Sequence, residues 1–177
     1  TAAGLEGTTQ IVEVVANLGP RDLCLCLISG GGSALLPMPI AGITLADKIA
    51  ITQQLAERGA DITELNAVRR EISAVKGGGL ARLSRAGQMI ALILSDVMGD
   101  DLEVIASGPT VPREPTPELA LTVLSDKGLL NTELGRKIAA VLHSPPPTPS
   151  AASPKQLPLN VVVGKNSTAV DSAGIEA

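Results

Sequence analysis

The segment Ser29-Gly30-Gly31-Gly32-Ser33 combines residue types that can bind an anion through the backbone. Three consecutive glycines carry no Cβ, so their amides can approach a ligand closely, and the two serines add hydroxyl donors. The segment directly follows the apolar run 23–28, and ligands of open parallel sheets gather where strands end. We therefore expect a binding turn for a phosphate-bearing or otherwise anionic ligand. A plain structural turn is the alternative, because the Walker and Rossmann glycine spacings are both missing.

A second cluster places Asn66, Arg69 and Arg70 on a predicted helix that runs toward Lys76 and the turn Gly77-Gly78-Gly79. Arg69 and Lys76 are seven positions apart, so a continuous helix would put both cations on one face. Such a face can bind an anionic ligand. A solvated basic stripe ended by glycine is the alternative, and this cluster alone favours it.

A third cluster begins with Ser95 and Asp96 at the end of the apolar run 89–94 and continues through Asp100. The motif Ala106-Ser107-Gly108-Pro109-Thr110 follows it. Carboxylates at a strand end can hold Mg²⁺ through water or accept a proton from a substrate hydroxyl, as phosphoryl transfer requires. Helix capping by the aspartates is the alternative.

The elements that must position these clusters alternate between helix and strand. Apolar spacing predicts helices near 11–18, 45–55, 65–75, 117–124 and 134–142, and strands at 23–28, 89–94 and 159–163. Thr44 and Asp47 have the pattern of a capping box. This order predicts an α/β fold: a three-layer, mainly parallel, Rossmann-like sheet with helices on both faces and strand 23–28 at its centre. All 177 residues are predicted to be part of one domain, with its core at 8–143, a Pro/Ser-rich connection at 144–158, and a final strand and truncated helix at 159–177.

Composition narrows the classes of function. The sequence has no aromatic residue and a net charge of −4, which argues against nucleic-acid binding. Cys24 and Cys26 alternate along a predicted strand, so both thiols should lie on one face, buried in a reducing compartment. No run is long and apolar enough to predict a membrane span or a signal peptide, and we expect a cytoplasmic protein. His143 has no recognisable partner, and the absence of a G-x-S-x-G motif weakens a hydrolase interpretation.

Taken together, the three clusters resemble glycerate 2-kinases of the MOFRL type. The similar motifs are LISGGGSALL at 27–36, N-x-VR-x-x-x-S-x-x-KGG-x-LA at 66–81, and SDV-x-GD with ASGPT at 95–110. Their order and spacing are also similar. One departure is Arg70-Glu71, where the family more often has Lys followed by His or another polar residue.

The resemblance implies ATP-dependent, Mg²⁺-assisted phosphorylation of glycerate in a cleft between an α/β domain and a C-terminal domain. The C-terminal MOFRL-type domain is absent from this sequence, so we expect the piece to be inactive by itself. The implied catalytic residues are Lys76, Arg69 and Asp96, and the implied metal ligands are Asp96 and Asp100. The implied cofactor-binding residues are Ser29, Gly30, Gly31, Gly32, Ser33, Asn66, Gly77, Gly78, Ser95, Ser107, Gly108 and Thr110.

Two other functions remain open at this point. One is a hydroxypyruvate reductase-like enzyme, a label attached to proteins resembling this family, although no dinucleotide fingerprint is present. The other is a non-catalytic anion-binding or interaction module. The expected partners are glycerate and a nucleotide, with no nucleic acid and no membrane, and the sequence leaves homo-oligomer formation open.

Overall fold

The computed structural model describes residues 1–144, 156–165 and 170, which form seven α-helices and three β-strands. The strands are β1 (Leu23–Ile28), β2 (Gln88–Ser95) and β3 (Leu159–Lys165). The helices are α1 (Ala2–Asn17), α2 (Gly32–Leu35), α3 (Leu45–Glu57), α4 (Ile62–Glu71), α5 (Gly79–Leu83), α6 (Pro117–Asp126) and α7 (Glu133–His143). Most of the Pro/Ser-rich connection and of the final helix lies outside the described residues.

The three strands form a parallel sheet in the order β1-β2-β3, which confirms the predicted α/β class. Leu25 is in register with Ile90, and Ile90 with Leu159. The central strand of the described sheet is β2, so the prediction that places 23–28 at the centre is wrong for this part of the chain. A continuous apolar run indicates a strand, but it does not give the strand's position in the sheet.

Helices cover one face of this sheet. Cys24 and Met89 point toward α1 and α5 and are buried with Val15 and Leu80, while the opposite face carries side chains that are largely exposed. Leu27, for example, is 76% exposed. On this face, therefore, the apolar side chains of β1 are not covered by any helix of the described residues. The exposed apolar side chains of that face are Leu23, Leu25, Leu27, Leu94, Leu159, Val161 and Val163.

A second core lies away from the sheet, between α3, α4, α6 and α7. Ile51, Leu55, Val68 and Leu124 are fully buried there. The segment between α4 and α5 connects the two cores, because Ile72 packs in the helical core and Val75 packs against the sheet. This segment carries Lys76, so the two cores together fix its position.

Local hydrogen bonds explain where the helices begin and end. The predicted capping box of Thr44 and Asp47 is present at the start of α3. The predicted helix 65–75 ends at Glu71, because the next residues bond to a different segment: the Ile72 carbonyl accepts from Ile40 N–H at 3.3 Å, and Ala74 N–H donates to Met38 O at 2.8 Å. Arg69 and Lys76 were expected to share one helix face only if the helix continued, and this condition is not met, because the helix ends at Glu71.

Two smaller predictions can also be compared with the structure. Cys24 and Cys26 lie on one face of β1 as unbridged thiols, with their sulfurs 3.7 Å apart. Burial raises the pKa of the Cys26 thiol to about 12, and the neighbouring Cys24 contributes to the same effect. His143 is the exposed last residue of α7. In the described part of the chain, no helix has both the length and the apolar character needed to cross a membrane.

Candidate functional site

The ammonium group of Lys76 brings the three polar clusters together. Lys76 Nζ donates to the Ser33 carbonyl at 2.9 Å and to Ser33 Oγ at 2.5 Å. It lies 3.3 Å from Ser107 Oγ, and the two serine hydroxyls are 2.8 Å apart. Residues 33, 76 and 107, one from each predicted cluster, therefore meet at one point. Lys76 is 2% exposed, so its charge lies at the base of this site.

The loop that carries Lys76 is bonded directly to the loop that carries Ser107. Gly77 N–H donates to Ser107 O at 3.0 Å, and Gly78 N–H donates to Gly108 O at 2.7 Å. Gly78 has a positive φ of 77°, and a Cβ there would lie 2.7 Å from the Val111 carbonyl oxygen. Gly77 and Gly78 thus hold the two loops together, and their amides are not free to bind a cofactor.

The Gly30 turn lies at the exposed end of β1. Ser29, Gly30 and Gly31 are exposed, and within the residues described here the Gly30 and Gly31 amides have no hydrogen-bond acceptor. The carboxylate of Asp96 lies against Gly30, where a Cβ would be 2.1 Å from Asp96 Oδ2. Gly32 is close to Ala106 in the third cluster. This turn therefore offers free amide donors next to a carboxylate.

Replacing Gly30 by Ala should disturb the Asp96 carboxylate and leave most of the fold intact. The added methyl would overlap Oδ2 and the carboxyl carbon, and an exposed side chain can move away at little cost in stability. We expect enzymatic turnover of the complete gene product to fall about tenfold, because displacing a site group by about 1 Å is costly. Steady-state kinetics and thermal unfolding would measure the two effects.

Gly19→Ala is the matched control, since a Cβ at Gly19 would lie 3.4 Å from Asp22 Oδ2, an ordinary contact. That variant should keep its turnover. Equal losses in the Gly19 and Gly30 variants would contradict the importance of Asp96.

The two predicted metal ligands have different surroundings. Asp100 Oδ2 forms an ion pair with Lys165 Nζ at 2.5 Å, and hydrogen bonds from Lys165 and Ser95 lower the pKa of Asp100. No ion pair to Asp96 occurs among the described residues. The same residues contain no group of three His, Cys, Asp or Glu side chains that could hold a metal. A Mg²⁺ ion that keeps several waters and binds substrate phosphates fits Asp96 better than Asp100.

Several predicted cofactor-binding residues have structural partners instead. Thr110 is fully buried, and its hydroxyl donates to Asn160 Oδ1 at 2.6 Å, which ties the third cluster to β3. Ser95 is buried and its hydroxyl contacts Val97. Asn66 accepts a hydrogen bond of 3.5 Å from Arg69 Nη1, so it orients that guanidinium. The ligand contacts predicted for Thr110 and Ser95 would require these side chains to leave buried hydrogen bonds.

Lys48 is a residue near this site that the sequence interpretation missed. It is 7% exposed and lies on the buried face of α3 with Ile51 and Leu55. Its Nζ lies 3.4 Å from the Arg69 carbonyl oxygen. The sequence contains a signal for it: positions 48, 51 and 55 follow helical spacing, so this lysine interrupts an apolar stripe.

Burial and repulsion from neighbouring cations lower the pKa values of Lys48 and Lys76. Burial lowers the pKa of Lys76 to about 8, and the charge of Arg69 lowers it further in the same direction. Burial also lowers the pKa of Lys48 to about 7, followed by repulsion from Lys76 and Arg69. A negative charge placed beside either ammonium group would oppose these shifts.

A cavity of about 310 Å³ lies beside the Lys76 loop but does not include Ser33 or Ser107. Its charged lining residues are Arg70, Glu71, Lys76, Arg82, Arg113 and Glu114. Arg70 and Arg113 reach Glu103 only at 3.9 and 3.6 Å. Lys76 also lines this cavity, so the cavity adjoins the point where the three clusters meet. Arg70 is among its lining residues and Arg69 is not.

Comparison with known proteins decides the family. Residues 1–143 match the family described as "Domain of unknown function (DUF4147)". The chain belongs to this family. Its relatives include glycerate kinase of Rattus norvegicus, 44% identical over 98% of this chain and 33% of that protein, and glycerate kinase of Homo sapiens, 43% identical with the same coverage. A putative hydroxypyruvate reductase of Agrobacterium vitis is 49% identical over 68% of this chain and 31% of that protein.

Two solved structures share the fold. Glycerate kinase of Thermotoga maritima is 35% identical, with a TM-score of 0.79 over 96% of this chain and 39% of that one. The PH0495 protein of Pyrococcus horikoshii OT3 is also 35% identical, with a TM-score of 0.84 over 98% of this chain and 40% of that one. This DUF4147 chain spans about a third of the length of the rat and human glycerate kinases that it matches. It corresponds to one part of a glycerate kinase fold.

Proposed function

We propose that the protein containing this DUF4147 chain transfers the γ-phosphoryl group of ATP to a hydroxyl of glycerate. The observation that carries the proposal is the meeting of Ser33, Lys76 and Ser107 around one buried ammonium group. Phosphoryl transfer requires hydrogen-bond donors and cations in fixed positions, because negative charge is spread over the phosphoryl oxygens in the transition state. The two serine hydroxyls and the ammonium group supply them. The relatives named glycerate kinase support the choice of substrate.

Within this proposal, each loop has a defined task. The free amides of the Gly30 turn bind an anionic oxygen, either of a nucleotide phosphate or of the glycerate carboxylate. Lys76 or Arg69 neutralises the charge of the transferred group. Mg²⁺, which supplies charge neutralisation at the phosphates when bound, would be held through Asp96. A role for Asp100 as a ligand would require its ion pair with Lys165 to open.

The direct test is a turnover assay of the complete gene product with ATP, Mg²⁺ and each glycerate enantiomer. We expect ADP and a phosphoglycerate to form in equal amounts. Formation of neither product would overturn the proposal, and thermal stabilisation by these ligands without turnover would favour a non-catalytic anion-binding module. Phosphorylation of a different short hydroxy acid would retain the kinase chemistry and change the substrate.

Reduction of hydroxypyruvate is the second candidate, and the name of the Agrobacterium vitis relative is the observation that favours it. Against it, the glycine turn lacks the spacing of a dinucleotide-binding loop. An absorbance assay distinguishes the two candidates, because a reductase would oxidise NADH or NADPH when hydroxypyruvate is added and the absorbance of the cofactor would fall. We expect no such loss.

A further inference from the structure

The cavity beside the Lys76 loop carries more positive than negative charge. Its walls come from the end of α4, the loop that follows it, α5, and the segments 40–41 and 113–117. Four of its lining side chains are cations and two are carboxylates. Its volume of about 310 Å³ is sufficient for a small molecule, because such sites begin at about 300 Å³. The cavity can therefore hold a small ligand, and its charge favours an anion.

Arg70 lines this cavity with a guanidinium group that lacks a close partner. Its side chain is 14% exposed, and its Nε is buried without a hydrogen-bond acceptor among the described residues. The carboxylate that approaches it is Glu103, whose Oε2 lies 3.9 Å from Arg70 Nη1, beyond hydrogen-bond distance. A guanidinium has five N–H donors, and leaving them unpaired in a largely buried position is costly. An acceptor from outside the chain would relieve this cost.

Arg113 approaches the same carboxylate and is also loosely bonded. Its Nε lies 3.6 Å from Glu103 Oε2, and its Nη2 lies 3.4 Å from Thr116 Oγ1. The Glu103 side chain is 48% exposed and does not line the cavity. Burial, followed by repulsion from Arg113, lowers the pKa of Arg70, which agrees with a local excess of positive charge. Two guanidinium groups thus share one distant, half-exposed counter-charge.

The other charged residues of the cavity do not neutralise these two arginines. Glu71 forms no ion pair within the described residues, and its Oε1 accepts from the Thr116 amide at 3.0 Å and from the Thr116 hydroxyl at 3.3 Å. Glu114 is exposed. The guanidinium of Arg82 is fixed to the Lys76 loop, because its Nη1 donates to Gly77 O at 2.8 Å. The positive charge of Arg70 and Arg113 is therefore left for a ligand.

Much of the remaining lining is apolar. The apolar residues are Ile40, Ala41, Leu83, Pro115, Pro117 and Leu142. Small-molecule sites typically combine apolar walls with a few polar groups that orient the ligand. A bare inorganic ion would leave these walls in contact with water, so the lining fits an organic anion better.

We propose that this cavity binds a small organic anion whose phosphate or carboxylate group pairs with Arg70 and Arg113 and whose uncharged part contacts the apolar walls. Because Nε of Arg70 is buried, its two Nη groups are the part that a ligand contacts. The proposed phosphoryl transfer uses neither arginine, so this inference goes beyond that function and does not depend on it. Absence of kinase turnover would leave a binding test interpretable.

A purely structural role for the two arginines makes a different prediction. They would then serve only to connect α4 with the segment 113–117 through Glu103. Glu103→Gln separates the two roles, because it removes the one carboxylate that competes with a bound anion. We expect this variant to bind an anionic probe about two- to fivefold more tightly, the effect of one half-exposed ion pair. An affinity that is unchanged or reduced would contradict the proposal.

Calorimetric titration of the complete gene product with phenyl phosphate, and separately with benzoate, tests the proposal. The two probes share an apolar ring and differ in the anionic group, so the tighter probe identifies the group that the arginines prefer. We expect Arg70→Met and Arg113→Met each to weaken its binding by about tenfold, the loss of a charge-assisted hydrogen bond. Arg21→Met removes an exposed arginine outside the cavity, and as the matched control it should bind normally.

Inorganic phosphate tests the contribution of the apolar walls. It should bind about tenfold more weakly than phenyl phosphate, because it buries no apolar surface. Equal affinities for the two phosphates would contradict a site for organic anions.

The proposal is overturned if the unsubstituted protein binds neither phenyl phosphate nor benzoate. It is also overturned if Arg70→Met and Arg113→Met both bind within twofold of the unsubstituted protein, because the probe would then occupy another site. Thermal unfolding shows whether each variant is folded. Should Arg70→Met fail to fold, Arg113→Met and Glu103→Gln still decide.

Discussion

Lys76→Met should reduce ATP-dependent turnover of the complete gene product by about 10²-fold, on the order of 3 kcal/mol of transition-state stabilisation. Methionine keeps a similar length and removes the charge that contacts Ser33 and Ser107. The fold should survive, because the substitution also removes a buried charge that repels Arg69. Steady-state kinetics with ATP and glycerate would measure the loss, and thermal unfolding would show that the protein remains folded.

Lys137→Met is the control for this variant, since Lys137 is an exposed lysine on α7 that pairs with Asp47. It should keep full turnover and lose at most about 1 kcal/mol of stability, the usual contribution of a surface ion pair. A Lys76→Met enzyme within threefold of the unsubstituted rate would refute the assigned role of the ammonium group.

Gly78→Ala should destabilise the fold by about 2–4 kcal/mol, through backbone strain and steric overlap together. Gly78 has a φ of 77°, and its Cβ would lie 2.7 Å from Val111 O and 2.8 Å from Pro112 Cα, both backbone atoms. Backbone atoms cannot swing aside as a side chain can, so the contact between the Lys76 loop and residues 107–112 must open. Urea unfolding of the complete gene product would give the change in the free energy of unfolding.

Gly59→Ala separates the two causes, because Gly59 has a similar φ of 72° but nothing within 4 Å of its Cβ position. It should cost only the strain of a left-handed conformation, about 1 kcal/mol. If Gly59→Ala and Gly78→Ala destabilise equally, steric overlap with residues 111 and 112 contributes nothing.

The predicted elements were largely found, although their bounds and neighbours differ. The capping box at Thr44 and Asp47 is a local interaction, so the sequence predicts it directly. The end of α4 at Glu71 depends on Ile72 and Ala74 bonding to the segment 38–40, more than thirty residues earlier. Apolar spacing through Val75 continues past that point, because Val75 packs in the core against the sheet and is not part of the helix. Periodicity alone cannot distinguish an apolar residue inside a helix from one that follows the helix and packs elsewhere.

The candidate site was also predicted only in part from the sequence. The motifs predicted that residues near 30, 76 and 107 act together, and Lys76 does contact Ser33 and Ser107. Motifs could not separate the residues that face the site from those that hold its loops in place. Thr110 is bonded to Asn160 of β3, and the amides of Gly77 and Gly78 are bonded to the 107–108 segment. The roles of these three residues depend on hydrogen-bond partners that are distant in the sequence.

The sequence by itself determined the alternation of strands and helices and the residue types of the three motifs, from which anion binding at the Gly30 turn is predicted. These properties depend on residue types and on short spacings, so they follow from interactions between residues that are close in the sequence. Only the tertiary structure decided that β2 is central in the described sheet, that Asp100 is paired with Lys165, and that Lys48 Nζ lies beside the Arg69 carbonyl oxygen. Each of these depends on the positions of residues on different elements, and packing of the two cores sets those positions.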